Sequence, residues 1–309
     1  MEIMNRIRRY FPGRVKYMNN ITSSLYDDSF LDYLQQRRAL AEQLVKDRVA
    51  KDLNKGIDDA VSREVENGAL SHVKMTREAR DRAQGYISNF RDILDGAGIE
   101  NQELGFYLIS GDQPVITDIH LNKQWVNPIH CDIVVNEQMS ERYRRRTGKR
   151  IASWAHSHGS LSVFLSGTDI STLKNIVPQY YEGFKLDIEV PWGDDNLKYQ
   201  VHYFPTVVMN NAGDIYAAVQ VKYPKVTRQG DSYMPSRHSM RLASGVPIRW
   251  VQGERPEPYD DKSIREDLMA KVRVPYRRGY TLLSNLMPSQ ESGLEERVRN
   301  NSKQSLYVQ

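Results

Sequence analysis

The sequence predicts a mixed α/β fold of the α+β kind, and three observations predict it. Residues 29–69 hold no proline and repeat apolar residues at helical spacing. Between about residues 72 and 223, short runs of strand composition are separated by turn residues and interrupted by helical segments. Past Pro224 the pattern weakens into short pieces around a polar, proline-rich connector. With 309 residues, 39% hydrophobic and 27% charged, the chain can bury a sizeable core and still solvate its surface. At roughly 150 residues per domain it has room for about two compact units, or one domain with large additions. The expected division is a helical N-terminal region over 1–70, a central domain over 71–224 and an irregular C-terminal extension over 225–309.

Each element has a local reason. In 29–69, Leu31 and Leu34, then Leu40 and Leu44, recur among acidic and basic residues of nearly balanced charge, which suits a solvated helical arm or a partner-binding face. HVKM, from His72, predicts a short strand. Thr76 then stands at an N-cap position before the helical spacing of REARDRAQGYISNFRDIL, which Gly96 and Gly98 stop. Strands are predicted over GFYLISG, PVITDIHL and CDIVV. EQMSERYRRRTGKR, residues 137–150, begins as a helix; IASWAHSHG is a strand, and a helix opens near SGTDISTLKNIV. KYQVHYF and PTVVMNN predict two further strands, and Asn-Ala-Gly-Asp a hairpin turn into AGDIYAAVQVKY. SGVPIRWVQG and DKSIREDLMAKV flank the connector GERPEPYDD, and PSQESGLEERVRNNSKQ reads as loose or docked on something else.

Composition narrows the function. Forty-three Lys and Arg against 39 Asp and Glu leave a net charge of only +4, so bulk charge does not argue for a nucleic-acid partner. The single cysteine, Cys131, makes neither an internal disulfide nor a thiolate zinc cage, which fits a reducing, cytoplasmic setting. The N-terminal MEIMNRIRRYFPGRVKYMNN is basic and lacks the apolar core of a signal peptide. No stretch approaches the roughly 18 uninterrupted apolar residues of a membrane-spanning helix.

One segment carries chemistry. Trp154-Ala-His156-Ser-His158 is followed, after seven residues, by Ser166-Gly-Thr-Asp169. Residues two apart on a strand share a face, so His156 and His158 present two imidazoles side by side while Ser157 points away. If GSLSVFL folds back, Asp169 on the first turn of the next helix reaches the same point. Two His and one carboxylate form a catalytic zinc ligand set that leaves a fourth position for water. Read more plainly, His-x-His is a packed or surface pair, and Ser166 with Asp169 is a capping box.

The run HSHGSLSVFLSGTD resembles the JAMM signature of the MPN+ zinc metalloproteases: His-x-His, seven residues, Ser-x-x-Asp. SWAHSHG is similar to that family's histidine strand, and FLSGTDIST to the deubiquitinating subunits of the proteasome lid. A weaker resemblance runs from about His72 to Val221, through HVKMTREARDRAQGYI and DIHLNKQWVNPIHCDI. The resemblance implies the MPN fold, a cytidine-deaminase-like mixed sheet flanked by helices. It implies that His156, His158 and Asp169 bind Zn2+ and that Ser166 helps hold the substrate oxyanion. It also implies a catalytic glutamate on an upstream strand, usually as Glu-x-x-Gly-x-Leu. In NQELGFYLISG that residue is Glu103, which keeps register with LISG; strict glycine alignment offers Gln102, and Glu100 is a third option. Gly159 stands where the family often has proline.

The implied reaction is hydrolysis of the amide joining ubiquitin or a ubiquitin-like modifier to its target, with Glu103 as general base. Two other readings stay open: a non-catalytic MPN scaffold, and a JAMM peptidase maturing a ubiquitin-like or sulfur-carrier precursor. The expected partners are a ubiquitin or ubiquitin-like conjugate and a protein bound through the N-terminal helical region, with no membrane. Residues 127–150 and 178–200 occupy places where the family's insertions add a strand to the modifier's tail. His72, His120, His130, His202 and His238 show no comparable spacing. Arg142, Arg144, Arg145, Arg146, Lys149 and Arg150 form a basic cluster, either a solvated helix face or a dock for an acidic patch on a partner.

Overall fold

The computed structural model describes residues 28–133, 138–230, 232–253, 260–276 and 279–286. The readings made for the N-terminal 1–27, for most of GERPEPYDD and for the polar C-terminal stretch lie outside these residues. The proline-free run folds as one helix, α1 (Asp28–Asn67). Leu53, Ile57, Ala60 and Val61 are buried on one side of it, at the spacing of a core-facing stripe. The short strand β1 (Val73–Thr76) follows. Thr76 is extended, and its hydroxyl accepts the Ala79 N–H at 3.1 Å, opening α2 (Arg77–Gly96). Gly98, at φ 65°, turns the chain away from the end of that helix.

The strands β2 (Gly105–Ser110), β3 (Asp118–His120), β4 (Gln124–Asn127) and β5 (His130–Ile133) come next. The sequence reading missed QWVN as a strand. It forms a hairpin with β5 whose turn is held by Asn127 Oδ1, which accepts the N–H groups of Ile129 and His130. The arginine-rich segment gives α3 (Met139–Thr147), ended by Gly148 in the left-handed region, and β6 (Arg150–Ser157) follows. Every residue of β6 after Arg150 is buried, as expected of a strand covered on both faces. Then come α4 (Gly167–Asn175), the short α5 (Val177–Tyr180), β7 (Phe184–Trp192), β8 (Asp195–Met209), β9 (Ile215–Gln229) and β10 (Ser232–Ser244). The last elements are β11 (Ile248–Val251), α6 (Asp261–Lys271), β12 (Val272–Tyr276) and β13 (Gly279–Leu282).

The architecture is mixed α/β, as expected. The main sheet runs β10-β9-β8-β6-β2-β3, with β7 pairing the outer half of β8. On one side, Tyr107, Ile109, Ile151, Trp154 and Phe204 from its strands pack with Leu173, Val177 and Tyr181. The tilted contact of Tyr86 with Phe106, ring centres 5.9 Å apart, brings α2 against β2. A smaller sheet has the order β13-β12-β4-β5.

Two expectations differ from the structure. KYQVHYF and PTVVMNN are one strand, β8, with Pro205 inside it. On one flank β8 pairs with β7 up to Tyr203 and with β6 from Val207, so the missing proline N–H falls where the neighbour changes. The stretch after residue 224, expected as irregular, supplies strands and a helix wherever it is described. β11 pairs parallel with β1, and β12 pairs parallel with β4. On α6, Asp267 accepts the Tyr86 hydroxyl at 2.8 Å and Asp261 accepts the Asn89 amide at 3.0 Å.

The chain splits into two compact units, 1–52 with 228–233, and 53–227 with 234–309. Within the first, the Tyr233 hydroxyl donates to the Lys46 carbonyl oxygen at 2.9 Å. The second contains the candidate metal centre and every residue described with it. Among the described residues, no helix is long and apolar enough to cross a membrane.

Candidate metal centre

The site forms where β6 ends. The Ser157 hydroxyl accepts the Leu104 N–H at 2.9 Å, and the Ser157 N–H donates to the Leu104 carbonyl at 2.8 Å. With Ser157 turned that way, strand alternation sends His156 and His158 to the opposite face. They are 1% and 5% exposed, with ring centres 5.0 Å apart. The chain then reverses at Gly159, whose φ of 55° lies in the left-handed region. Proline is fixed near −65° and cannot take this conformation, whereas glycine takes it without strain. The β8–β9 turn holds the loop: the Asn211 N–H donates to the Gly159 carbonyl at 2.7 Å, and the Asn210 amide to the Leu161 carbonyl at 3.2 Å.

The loop delivers Ser166 to the N-cap of α4. Its hydroxyl accepts the Asp169 N–H at 3.2 Å, and Asp169 Oδ2 accepts the Ser166 N–H at 2.7 Å. The capping box is therefore formed, and it fixes the carboxylate that faces the histidines. Asp169 Oδ1 lies 3.3 Å from His156 Nε2, and Asp169 Oδ2 3.8 Å from His158 Nε2. One potential ligand atom from each of the three residues falls within 4.8 Å of the others.

Each ring is held from behind. His156 stacks on Trp154, two residues earlier on the same face, with ring centres 4.6 Å apart and planes 9° from parallel. His158 Nδ1 lies 2.9 Å from the Ser162 carbonyl, so that nitrogen carries a proton and Nε2 is the one turned to the cluster. Phe164 packs its edge on His158 at 5.0 Å.

The cluster fits a metal ion. Buried His156 makes no well-directed hydrogen bond through either ring nitrogen, Nε2 meeting only the Asp169 carboxylate at 3.3 Å, and leaving such an atom unsatisfied costs roughly 1–3 kcal/mol. A cation held by His156, His158 and Asp169 supplies what the protein does not. The electrostatics agree. Burial pushes the Asp169 carboxyl up, but His156, His158 and Ser166 outweigh it and hold the group well below the usual carboxylate range. Burial lowers the pKa of His156, with Asp169 opposing, while hydrogen bonding to Asp169 raises that of His158. A neutral His156 beside an ionised Asp169 is the state in which both bind metal.

Glu103 is brought to this cluster; Gln102 and Glu100 are not. In the β2–β6 pair, Gly105 lies directly across from His156, so the two share a face. Two residues upstream, the chain presents Glu103 the same way. The residue is 7% exposed, and its carboxyl is close enough to interact with His158 and Asp169. Burial, the largest cause, raises its pKa to about 7, with His158 opposing and Asp169 adding. The Gln102 amide instead donates to the Glu100 carbonyl at 2.7 Å, and Glu100 is exposed.

Gly105 is small for a steric reason: a Cβ there would sit 2.5 Å from Ile133 Cδ1 and 2.8 Å from Cys131 Sγ. Sequence reasoning missed Gln124, whose amide holds Gly105, because nothing in local spacing links β4 to β2. The other expected residues lie elsewhere. His130 sits against the Asn127 amide at 2.7 Å and 3.4 Å from Asp132, away from the cluster. In the basic cluster, Arg145 pairs with Glu141, Arg144 lies 3.4 Å from Glu182, and Arg146 lies over the Tyr143 ring.

Comparison of the chain with known protein families and with curated protein sequences gives no match.

Proposed function

We propose that this protein is a zinc-dependent isopeptidase that cleaves the amide between a ubiquitin or ubiquitin-like modifier and its target. The observation that carries the proposal is Glu103, a buried carboxyl with its pKa near neutrality, facing a buried two-histidine, one-carboxylate cluster. Such a ligand set suits zinc, and a three-ligand site leaves a position open. Zinc bound there supplies Lewis acidity, polarising the scissile carbonyl and lowering the pKa of water toward neutrality.

The chain's own residues do the rest. His156, His158 and Asp169 bind and orient the metal. Glu103 takes a proton from the attacking water and delivers it to the leaving amine, work suited to a group with a pKa near the operating pH. The Ser166 hydroxyl already accepts from the Asp169 N–H, so its hydrogen is available to donate to the substrate oxygen as charge develops there. The resemblance of HSHGSLSVFLSGTD to the JAMM signature extends the reading to ubiquitin-like modifiers. Exposed Leu40 and Leu44, one helical turn apart on α1, support a protein partner for the N-terminal helical region.

The test is cleavage of paired model substrates by the zinc-loaded protein, one isopeptide-linked to a lysine side chain and one a linear fusion of the same modifier. Cleavage of the isopeptide substrate, abolished by Glu103→Gln, supports the proposal. Cleavage of the linear fusion alone points to a precursor peptidase, and cleavage of neither to a scaffold.

A further inference from the structure

Far from the metal centre, the main sheet carries a row of bases with no matching acids. Lys185 on β7 pairs directly with His202 on β8, and His202 with Lys222 on β9. Directly opposed residues share a face and lie close together, and like charges so placed repel. No hydrogen bond or ion pair to an acid satisfies Lys185, His202 or Lys222 among the described residues. Burial first, and then Lys185, Lys222 and His238, depress the pKa of His202, as expected where positive potential is uncompensated.

The row runs into a cavity of about 430 Å³ lined by Arg144, Arg150, Glu182, Gly183 and Lys185. Lys185 belongs to both. Arg150, the first residue of β6, has a side chain only 20% exposed, and its acidic neighbour Asp112 is 3.7 Å away but 95% exposed. Of the nearby carboxylates, Glu182 lies 3.4 Å from Arg144, and Asp187, exposed two residues beyond Lys185, accepts from the Gln200 amide at 3.5 Å. The cavity lining sets Arg144, Arg150 and Lys185 against one carboxylate, Glu182, so positive charge is left over there.

We propose that this row and cavity dock an acidic peptide segment of a partner protein, its carboxylates meeting Lys185, Lys222 and Arg150. Guanidinium forks match carboxylates in pairs. Neighbouring strands are about 4.8 Å apart, so Lys185 and Lys222 stand about 10 Å from each other, within reach of successive same-side residues of an extended peptide. A nucleic-acid backbone fits less well, because no aromatic ring lines the cavity for base stacking. The surface is separate from the metal centre. His202 lies six residues before Val208, which pairs with His156, or about 20 Å along the strand. The dock stands whether or not the metal centre is an isopeptidase.

The experiment is fluorescence anisotropy of a short labelled peptide of alternating Glu and Ser with the full chain, against the same chain carrying Lys185→Glu and Lys222→Glu. Binding that weakens with salt and falls about tenfold or more in the variant is expected. Metal content should be unchanged, and Lys185→Ala alone, at an exposed position, gives a smaller loss of the same sign should the double variant fail to fold. No binding by the native chain, or equal binding by the variants, overturns the proposal. So does a single-stranded oligonucleotide or inorganic phosphate that binds in a Lys185-dependent way when the acidic peptide does not.

Discussion

Gln124 grips the backbone of Gly105 with both ends of its amide: Oε1 accepts the Gly105 N–H at 2.8 Å, and Nε2 donates to the Gly105 carbonyl at 2.9 Å. The side chain thereby does the work of a neighbouring strand, tying β4 to the start of β2. A few residues on, the Asn127 carbonyl accepts the Glu103 N–H at 3.0 Å. Ser157 holds Leu104 from the other side. The segment that presents Glu103 is thus clamped between two strands, which makes Gln124 a positioning residue for a carboxyl it does not touch.

Gln124→Ala leaves two buried backbone groups unsatisfied, at roughly 1–3 kcal/mol each. Denaturant unfolding should show that loss. On the proposed function, metal content should stay near native while kcat falls more than KM rises, because Glu103 moves and His156, His158 and Asp169 do not. Loss of metal in parallel with activity would show that Gln124 supports the fold alone.

Glu103→Gln should keep the metal and lower kcat by about two orders of magnitude or more. It also has a signature in stability. In the metal-free protein the folded pKa of Glu103, about 7, lies above its ordinary 4.5, chiefly because of burial. Between those values the native state holds the proton more tightly than the unfolded chain does. Stability should therefore fall as pH rises from 4.5 through 7, and the glutamine variant should flatten that slope. Parallel slopes for the two proteins would count against a buried Glu103.

Ser166→Ala removes the N-cap of α4, and a lost cap costs roughly 0.5–2 kcal/mol. If the hydroxyl only caps, the equally good cap of Ser166→Asp restores stability and activity together. If it also donates to the substrate oxygen, Ser166→Asp recovers the melting temperature while kcat stays low. Melting curves and initial rates on the two variants separate these roles.

His120 gives an acid-side test remote from the metal ligands. Burial first, then the Lys271 and Arg146 cations against the opposing Asp267, push its pKa down from 6.5 to about 4. The unfolded chain binds the proton more tightly in this range, so the contribution is whole above pH 6.5 and is lost as pH falls toward 4. The shift corresponds to at most about 3 kcal/mol. His120→Gln should remove this part of the acid sensitivity in urea titrations run across that pH range.

Much of this was legible in the sequence, and what was not has a physical reason. Thr76, Gly98 and the Asn-Ala-Gly-Asp turn act through their immediate neighbours, so composition reveals them. His156, His158, Ser166 and Asp169 follow from strand and helix periodicity over a short span. β11 and β12 could not be read because each has only four or five residues and finds a parallel partner far back in the chain, as Ile248 does in Val73. Register with LISG favoured Glu103 over Gln102, but its place beside the cluster is visible only once β2 is paired with β6. The Lys185–His202–Lys222 row exists only once β7, β8 and β9 are aligned.

The most direct test of the central claim is the zinc content of the purified protein by elemental mass spectrometry, beside His156→Ala and Asp169→Asn. About one zinc per native chain, lost in both variants, is the predicted result. A native protein that carries no zinc and takes up none on addition, or variants that retain it in full, would contradict the account.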